Sequence, residues 1–389
     1  MRLLFYWNMN YKILITILWI FLLSCNDKRS NFIDNTVSNK QISDITATEK
    51  FIKLDSIHLK NYPIQTFASK NQYEYLIGYN YQTHNLDIIN LTQKIIESIP
   101  LHGEGPNAIH RDINGIYSNT LDSIWLYSAN TAYLLQRDGI IISKINLPVD
   151  AGEYIINTTN YSNATIKIHY HPERNSIFYT TVNPGKKNYI YMNEFSIHSG
   201  NVKKTLLEYT DSEDGIGKNY GWMQHPNVTC NDRLIIFNFP FNSNIYVLDI
   251  DSGIISKHGG KSSFTDNIAN KTFKISVEDW DRHLIENVHF YEVNYDKFRD
   301  CYYRIHVNGL EFIPKISFPE QLNNKRLYLT IFDNQFNYVK EIPLAMDSYN
   351  VIGGWGVVKT GLLLIKDNPN NLQFNYEELQ YDIVSFSLQ

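Results

Sequence analysis

The chain has 389 residues, a formal net charge of −5 at pH 7, 14% aromatic residues and three cysteines. This length is enough for one large hydrophobic core or two modest ones. Three cysteines are too few to build a disulfide scaffold. An acidic chain without a basic run also argues against a nucleic-acid partner. The abundance of aromatic residues and isoleucine favours β-strands.

The N-terminus has the pattern of a lipoprotein signal peptide. Positive charges precede the apolar run at residues 13–23, which is too short to span a bilayer comfortably, and Ser24 precedes Cys25. We predict that residues 1–24 are a signal peptide and that an acylated Cys25 anchors the protein in a membrane without a spanning helix. An ordinary secretory signal followed by an unmodified cysteine is the alternative.

Residues 25–50 are polar and rich in Asn, Ser, Thr and Asp, with neither strand nor helix periodicity. This composition predicts a flexible tether between the lipid and a folded domain. No linker-like segment interrupts residues 51–389, which we predict to be one domain. The predicted location is the outer membrane, and the pattern leaves open whether the protein faces the periplasm or the cell surface.

A unit of short strands recurs along the rest of the chain. In its clearest copy, Asp138 and Gly139 form a tight turn between two β-prone runs, because both tolerate the positive φ that such turns need. The first apolar strands of the six units are predicted at residues 75–79, 123–128, 176–181, 234–239, 301–307 and 362–366. An inner strand is predicted before each of them, at residues 64–67, 113–117, 165–170, 227–230, 289–295 and 355–358. Repeated sheet units of this kind predict an all-β fold, a six-bladed β-propeller.

Two segments lie outside the repeat. The sixth unit lacks an outer strand, and we predict that residues 51–59 supply it, which would close the ring and leave no open sheet edge. Between the fourth and fifth units, Ser276 and Asp279 resemble a helix cap. Apolar residues follow at helical spacing: Val277, Trp280, Leu284 and Val288. One short helical insertion is therefore predicted over Val277–Glu286.

Three stretches carry a family resemblance. They are the Ser24-Cys25 signal, the sequence from His102 to Asn107 followed by Asp122-Ser-Ile-Trp125, and residues 291–304. They resemble a family of Bacteroidetes lipoproteins of unknown function, whose members look like TolB-like six-bladed β-propellers. The resemblance covers nearly all of residues 50–389. It implies the fold and a location in the cell envelope, and it implies no activity or catalytic residue.

A binding site is predicted at the mouth of the propeller channel. A propeller brings the connection from each outer strand to the next inner strand to one end of its axis. These connections contain residues able to hydrogen-bond a glycan or peptide and to stack on it: His102, Glu104, Asn107, Arg111, Trp222 and His225. The same Gly-Pro-rich connection after the first unit could instead serve only to shape a tight turn.

Three classes of function remain compatible with the sequence. A binding or scaffold lipoprotein with a glycan or peptide ligand is favoured, a subunit of an envelope protein assembly is second, and a hydrolase or lyase is third. No catalytic residue, metal or cofactor is predicted. His169 and His171 should share one face of a strand, where His102 or Glu104 could complete a metal site. Two histidines at the end of a strand rich in Asn and Tyr are more often solvated, and we expect that here. Cys230 and Cys301 fall on different blades, and no disulfide is predicted between them.

Overall fold

Six antiparallel sheets follow one another along the chain, and together they form a six-bladed β-propeller. The structure is a computed structural model. It describes residues 33–105, 107–128, 130–156, 168–183, 187–211, 219–273, 276–373 and 375–389. The chain divides into a unit Met1–Ile33 and a unit Asp34–Gln389, and all six sheets lie in the second. The predicted signal peptide and Cys25 lie outside the described residues.

The chain enters the propeller with β1 (Ile42–Lys53) and then forms two regular blades, each built from its inner strand outwards. The strands of blades 1 and 2 are β2 (Gln65–Lys70), β3 (Tyr73–Asn80), β4 (Asn85–Asn90), β5 (Ile95–Pro100), β6 (Ile113–Thr120), β7 (Ser123–Ser128), β8 (Thr131–Leu135) and β9 (Ile141–Asn146). Both blades match the prediction.

Blade 3 has a divided inner edge. Two short segments pair with opposite ends of the same second strand. The strands of this blade are β10 (Tyr154–Ile155), β11 (His169–His171), β12 (Ser176–Asn183), β13 (Lys187–Ser196) and β14 (Val202–Asp211). The inner strand predicted at residues 165–170 lies partly outside the described residues, since residues 157–167 are not among them.

Blades 4 and 5 are again four-stranded. Their strands are β15 (Asn227–Cys230), β16 (Leu234–Asn238), β17 (Ile245–Asp249), β18 (Ile255–His258), β19 (His289–Asp296), β20 (Cys301–Val307), β21 (Leu327–Asp333) and β22 (Tyr338–Pro343). Blade 6 consists of β23 (Trp355–Val358), β24 (Gly361–Ile365), β25 (Glu378–Leu388) and the N-terminal β1.

The strand that closes the ring was predicted at the wrong place. Closure by an N-terminal strand is confirmed, but that strand is β1, which pairs with β25 along its whole length, rather than residues 51–59. An outermost strand exposes most of its side chains, so β1 is polar and lacks a clear apolar alternation. Its sequence therefore resembles a linker.

The predicted tether is correspondingly too long. Residues 42–50 belong to β1, and the side chain of Asn35 already exchanges hydrogen bonds with the backbone of Lys261. Ser38 donates a hydrogen bond of 2.6 Å to Asp333 on blade 5. The folded part of the chain therefore includes residues that the composition assigned to the tether.

Six hydrophobic clusters hold the blades together, one between each pair of neighbours. Each blade consequently buries both of its faces, and its second strand is an almost continuous apolar run instead of an alternating one. The cluster between blades 6 and 1 contains Ile52 of β1 beside Leu76 of β3, so the N-terminal strand seals the ring by packing as well as by pairing.

The predicted helix α1 (Val277–Glu286) is present with the predicted bounds. Ser276 is its N-cap, and the Ser276 side chain accepts a hydrogen bond of 3.2 Å from the backbone N–H of Asp279. Trp280 and Leu284 are buried as predicted, whereas Val277 is 76% exposed, against the predicted stripe. A second helix, α2 (Phe318–Asn323), was not predicted. No helix in the described ranges is long and apolar enough to cross a bilayer.

Buried tyrosine–aspartate pairs fix the chain just before two inner strands. Tyr62 donates a hydrogen bond of 2.8 Å to Asp87 ahead of β2, and Tyr349 donates one of 2.7 Å to Asp382 ahead of β23. Gly78 leaves room for the first pair, since a Cβ there would lie 2.2 Å from the ring of Tyr62. These bonds place the connections of blades 6 and 1 against the central axis.

Cys230 and Cys301 are both free thiols, as predicted. Cys230 ends the inner strand of blade 4, and Cys301 begins the second strand of blade 5. Burial raises the pKa of each thiol to about 12. Because the thiolate is the reactive form, both cysteines are chemically inert at neutral pH.

Candidate functional site

The inner strands of the six blades surround a central cavity of about 620 Å³. On blades 1 and 6 its wall begins in the connections before the inner strands, at Asn61 and Asn350. On blades 3 to 5 the wall continues through the ends of the inner strands into the turns that follow, as far as Pro172, Asp232 and Phe298. The wall thus spans the inner strands from end to end, and the volume is typical of a small-molecule pocket.

The wall combines aromatic rings with amide side chains. Five blades contribute the rings, which are Phe67, Tyr117, Tyr170, Tyr295, Phe298 and Trp355. The amides are Asn61, Gln65, Asn114, Asn231, Asn294 and Asn350. Flat apolar faces beside groups that both donate and accept hydrogen bonds suit ligands of mixed character, such as sugars and short peptides.

Glu292 is the carboxylate buried in this wall. It lies on β19 of blade 5 and is 3% exposed. Its Oε1 accepts a hydrogen bond of 3.1 Å from the indole N–H of Trp355 on blade 6. Its Oε2 is buried and has no hydrogen-bond partner among the described residues. The carboxylate is therefore oriented through one oxygen, and the second oxygen remains available to a ligand.

A β-bulge explains how Glu292 comes to face the cavity. The pairing of β19 with β20 shifts between Phe290 and Val293, so two residues of β19 stand opposite one of β20. Bulges of this kind redirect a side chain. Here the two bulged residues are Tyr291, which packs toward blade 6 against Trp355 with ring centroids 4.9 Å apart, and Glu292, which lines the cavity.

Side chains of blade 4 hold this bulge in place. The backbone carbonyl of Phe290 accepts hydrogen bonds from the amides of Asn227 at 2.9 Å and Asn238 at 3.3 Å. The carbonyl of Val293 accepts one of 2.6 Å from Thr229. Glu292 is thus fixed by blade 4 through its backbone and by blade 6 through its carboxylate, so the orientation of the carboxylate is set before a ligand binds.

His169 and His171 both line the cavity, and both are buried rather than solvated as expected. The Nε2 of His171 contacts the backbone carbonyl of Asp232 at 2.6 Å, so this imidazole is engaged in joining blades 3 and 4. His169 packs edge-on against Tyr117 at 5.4 Å. Among the described residues, no group of three or more His, Cys, Asp and Glu side chains is placed to hold a metal ion.

The predicted mouth residues occupy varied environments. His102, Glu104 and Asn107 are exposed, and none of the three lines the central cavity. Arg111 is exposed and lines a second cavity of about 520 Å³ beside β6, together with Tyr79 and Tyr81. The mouth site as a whole stays a prediction.

The connection that contains Trp222 and His225 is packed under helix α1. Gly221 adopts a φ of +55°, and a Cβ there would lie 1.6 Å from the ring of Trp280. His225 is half-buried, and burial lowers the pKa of its imidazole. The side chain of Trp222 lies outside what the structure describes. Helix α1 therefore covers one of the connections in which the mouth site is predicted.

Ser262, in the connection between blades 4 and 5, forms with His306 and Glu341 of blade 5 a group that resembles a catalytic triad but differs from one in two respects. The Nε2 of His306 contacts both Ser262 Oγ at 3.1 Å and Glu341 Oε1 at 3.2 Å, whereas a triad uses one ring nitrogen for each partner. His306 is also 0% exposed. A substrate would have no route to the serine, so this group is structural.

The fold and the cavity define the class of the protein: a six-bladed β-propeller with a closed ring and a central channel. Within this class, the chain belongs to the family of the domain of unknown function DUF4221, whose model matches residues 29–343. The resemblance to a family of unknown function with this fold is thereby confirmed. None of the curated proteins compared with the chain matches it.

Solved structures of similar architecture include a member of the DUF4221 family from Bacteroides vulgatus, with 17% identity over 92% of this chain and 99% of that one and a TM-score of 0.66. A protein from Bacteroides fragilis shares 12% identity over 88% and 95% of the two chains, with a TM-score of 0.48. TolB from Acinetobacter baumannii shares 12% over 73% and 54%, with a TM-score of 0.40. At these identities the likeness concerns the fold alone.

The structure also shows what sequence reasoning missed. Glu292 was not singled out, because its role depends on a bulge that the apolar pattern of β19 does not reveal. The available signal was chemical, since Glu292 is an acidic residue inside a strand otherwise made of aromatic, apolar and neutral polar side chains before Asp296.

Proposed function

We propose that the protein is a binding module of the cell envelope that takes a glycan or a short peptide into the central cavity. The observation that carries the proposal is the cavity itself, to which every blade contributes and whose wall combines aromatic rings with amides. A closed ring of sheets keeps that wall rigid, so little ordering free energy is lost when a ligand binds.

A substitution that fills the cavity should abolish binding without affecting the fold. Gly353 lines the cavity, its φ is outside the left-handed region, and a Cβ there would meet nothing within 4 Å. We expect Gly353→Phe to weaken binding at least tenfold while the melting temperature stays unchanged. The measurement is isothermal titration of wild type and variant with ligands selected from a panel of glycans and peptides.

The matched control is Gly103→Phe. Gly103 is equally free of neighbours within 4 Å, but it belongs to the exposed connection of the predicted mouth site. Loss of binding in Gly353→Phe alone supports the cavity. Loss in Gly103→Phe alone would place the ligand at His102, Glu104 and Asn107 instead. Full binding by both variants would contradict both sites.

The proposed location rests on the signal at Ser24-Cys25. Acylation of Cys25 would anchor the protein in the outer membrane through its lipid. We expect Cys25→Ser to incorporate no labelled fatty acid and to shift the protein from the membrane fraction to the soluble fraction. Equal labelling of wild type and variant would refute the assignment.

A further inference from the structure

The chemistry of Glu292 narrows the class of ligand. An ionised carboxylate accepts hydrogen bonds and donates none, so any partner of its second oxygen must be a donor. The side chain is 3% exposed and lines the cavity, and Oε2 has no hydrogen-bond partner among the described residues. Burying a carboxylate costs free energy, and a hydrogen bond from a donor offsets that cost.

The donors that hold the bulge are already committed. The indole N–H of Trp355 is bonded to Oε1. The amides of Asn227 and Asn238 and the hydroxyl of Thr229 are bonded to backbone carbonyls of the bulge. A molecule in the cavity can therefore donate to Oε2 without displacing any of these bonds.

The surroundings favour a positively charged donor over a neutral one. Hydrogen bonds in which both partners are charged are the stronger kind. Aromatic rings from five blades line the same space, and the faces of such rings attract organic cations. A metal ion would need further oxygen, nitrogen or sulfur ligands, whereas an ammonium group needs one carboxylate and a wall of rings.

We infer that the ligand carries a primary ammonium group, which binds Glu292 Oε2 while the rest of the ligand lies against the aromatic wall. This inference rests on the proposed function, since it names the ligand class of the same cavity. An amino sugar and a lysine side chain both offer this chemistry, and matched probes can separate the two sources.

Two pairs of probes test the inference, and within each pair the two probes differ only in acetylation, which removes the positive charge. One pair is the glucosamine trisaccharide and its fully N-acetylated form. The other is glycyl-lysyl-glycine with an acetylated N-terminus and the same blocked peptide with an acetylated lysine. Titrations are made at about pH 6, where both amines are protonated, with wild type, Glu292→Gln, Glu292→Asp and Glu311→Gln. Glu311 is exposed and lines neither cavity, so its variant controls for the change of net charge.

We expect wild type and Glu311→Gln to bind at least one amine at least tenfold more tightly than its acetylated form. Glu292→Gln should lose this preference because glutamine keeps the acceptor for Trp355 but not the charge, and Glu292→Asp should retain part of it. The pair that shows the preference identifies the source as sugar or peptide. If Glu292→Gln does not fold, Glu292→Asp decides the test. Its preference for the amine over the acetylated probe should be smaller than that of wild type but still measurable.

Two results would overturn the inference. The first is that wild type binds the charged and the acetylated probes with equal affinity while Gly353→Phe weakens the binding of both. That result would refute the ammonium group but would still support the cavity as the binding site. The second is no binding of either amine by wild type. In that case the proposed function is tested separately, by comparing the affinity of uncharged panel ligands for wild type and for Gly353→Phe.

Discussion

Replacing Arg304 with alanine is expected to lower the free energy of unfolding by about 3–5 kcal/mol, because two buried carbonyls lose their donor and a cavity remains where the side chain was. Arg304 lies on β20 and is 0% exposed. Its guanidinium donates a hydrogen bond of 2.7 Å to the carbonyl of Ser243 and another to the carbonyl of Gly260, both on blade 4. Urea unfolding of wild type and variant at neutral pH measures the difference.

The size of this effect follows from how the guanidinium is enclosed. Its carbon lies 4.6 Å from the ring of Phe290 and 5.5 Å from the ring of Phe332. A Cβ at Gly260 would lie 2.6 Å from the guanidinium, so glycine is needed for this approach. Burial lowers the pKa of Arg304 to about 9, which still leaves it charged at neutral pH.

A second substitution separates charge from volume. Arg304→Met keeps most of the packing between the rings but leaves both carbonyls without a donor, and we expect a smaller loss of about 1–3 kcal/mol. An alanine variant as stable as wild type would mean that the guanidinium does not link blades 4 and 5. Equal losses in both variants would assign the effect to the hydrogen bonds alone.

The propeller could be predicted because burial in this fold produces a regular pattern. Each blade packs on both sides, so β7 and its equivalents are apolar runs, and turns such as Asp138-Gly139 between β8 and β9 separate the strands that follow. The helix α1 could be placed because its cap is local: Ser276 and Asp279 are three residues apart and bond directly. Patterns that arise within a few residues, or from uniform burial, can be recognised in one sequence.

The outer strand β1 could not be placed because its stabilisation comes from a distant partner. It pairs with β25 more than three hundred residues away, through backbone groups that carry no side-chain signature. The same limit applies to the candidate site. The position of Glu292 depends on a bulge fixed by Asn227 and Thr229 from blade 4, and on Trp355 from blade 6. No spacing along the chain predicts that these residues of three different blades lie in contact.

Glu341→Gln is expected to reduce the sensitivity of the fold to acid. Burial alone would raise the pKa of Glu341, but hydrogen bonds from His306, from the backbone of Ser263 and from Ser262 outweigh it and lower the pKa from 4.5 to about 2. Ser263 donates to this carboxylate at 2.8 Å through its backbone and at 2.9 Å through its hydroxyl. The ionised form is therefore bound more favourably in the folded protein than in the unfolded chain.

The sign of the effect follows from proton binding. Between pH 4.5 and about 2, the unfolded chain takes up a proton at Glu341 while the folded protein does not. The stabilisation is complete above pH 4.5 and is lost as the pH falls through this window, in total about 3–4 kcal/mol at roughly 1.4 kcal/mol per pKa unit. Burial also lowers the pKa of His306, so its contribution is lost in the same direction, beginning below pH 6.5.

Urea unfolding at a series of pH values tests this expectation. Above pH 4.5, glutamine should be less stable than glutamate because its amide N–H₂ cannot accept the bonds from Ser263. As the pH falls to about 2, wild type should lose its advantage and the two stabilities should converge. Glu311→Gln, at an exposed position, should follow the wild-type curve throughout. A difference in the free energy of unfolding between wild type and Glu341→Gln that stays constant across this pH window would contradict a lowered pKa at Glu341. The substitution would then act only through packing.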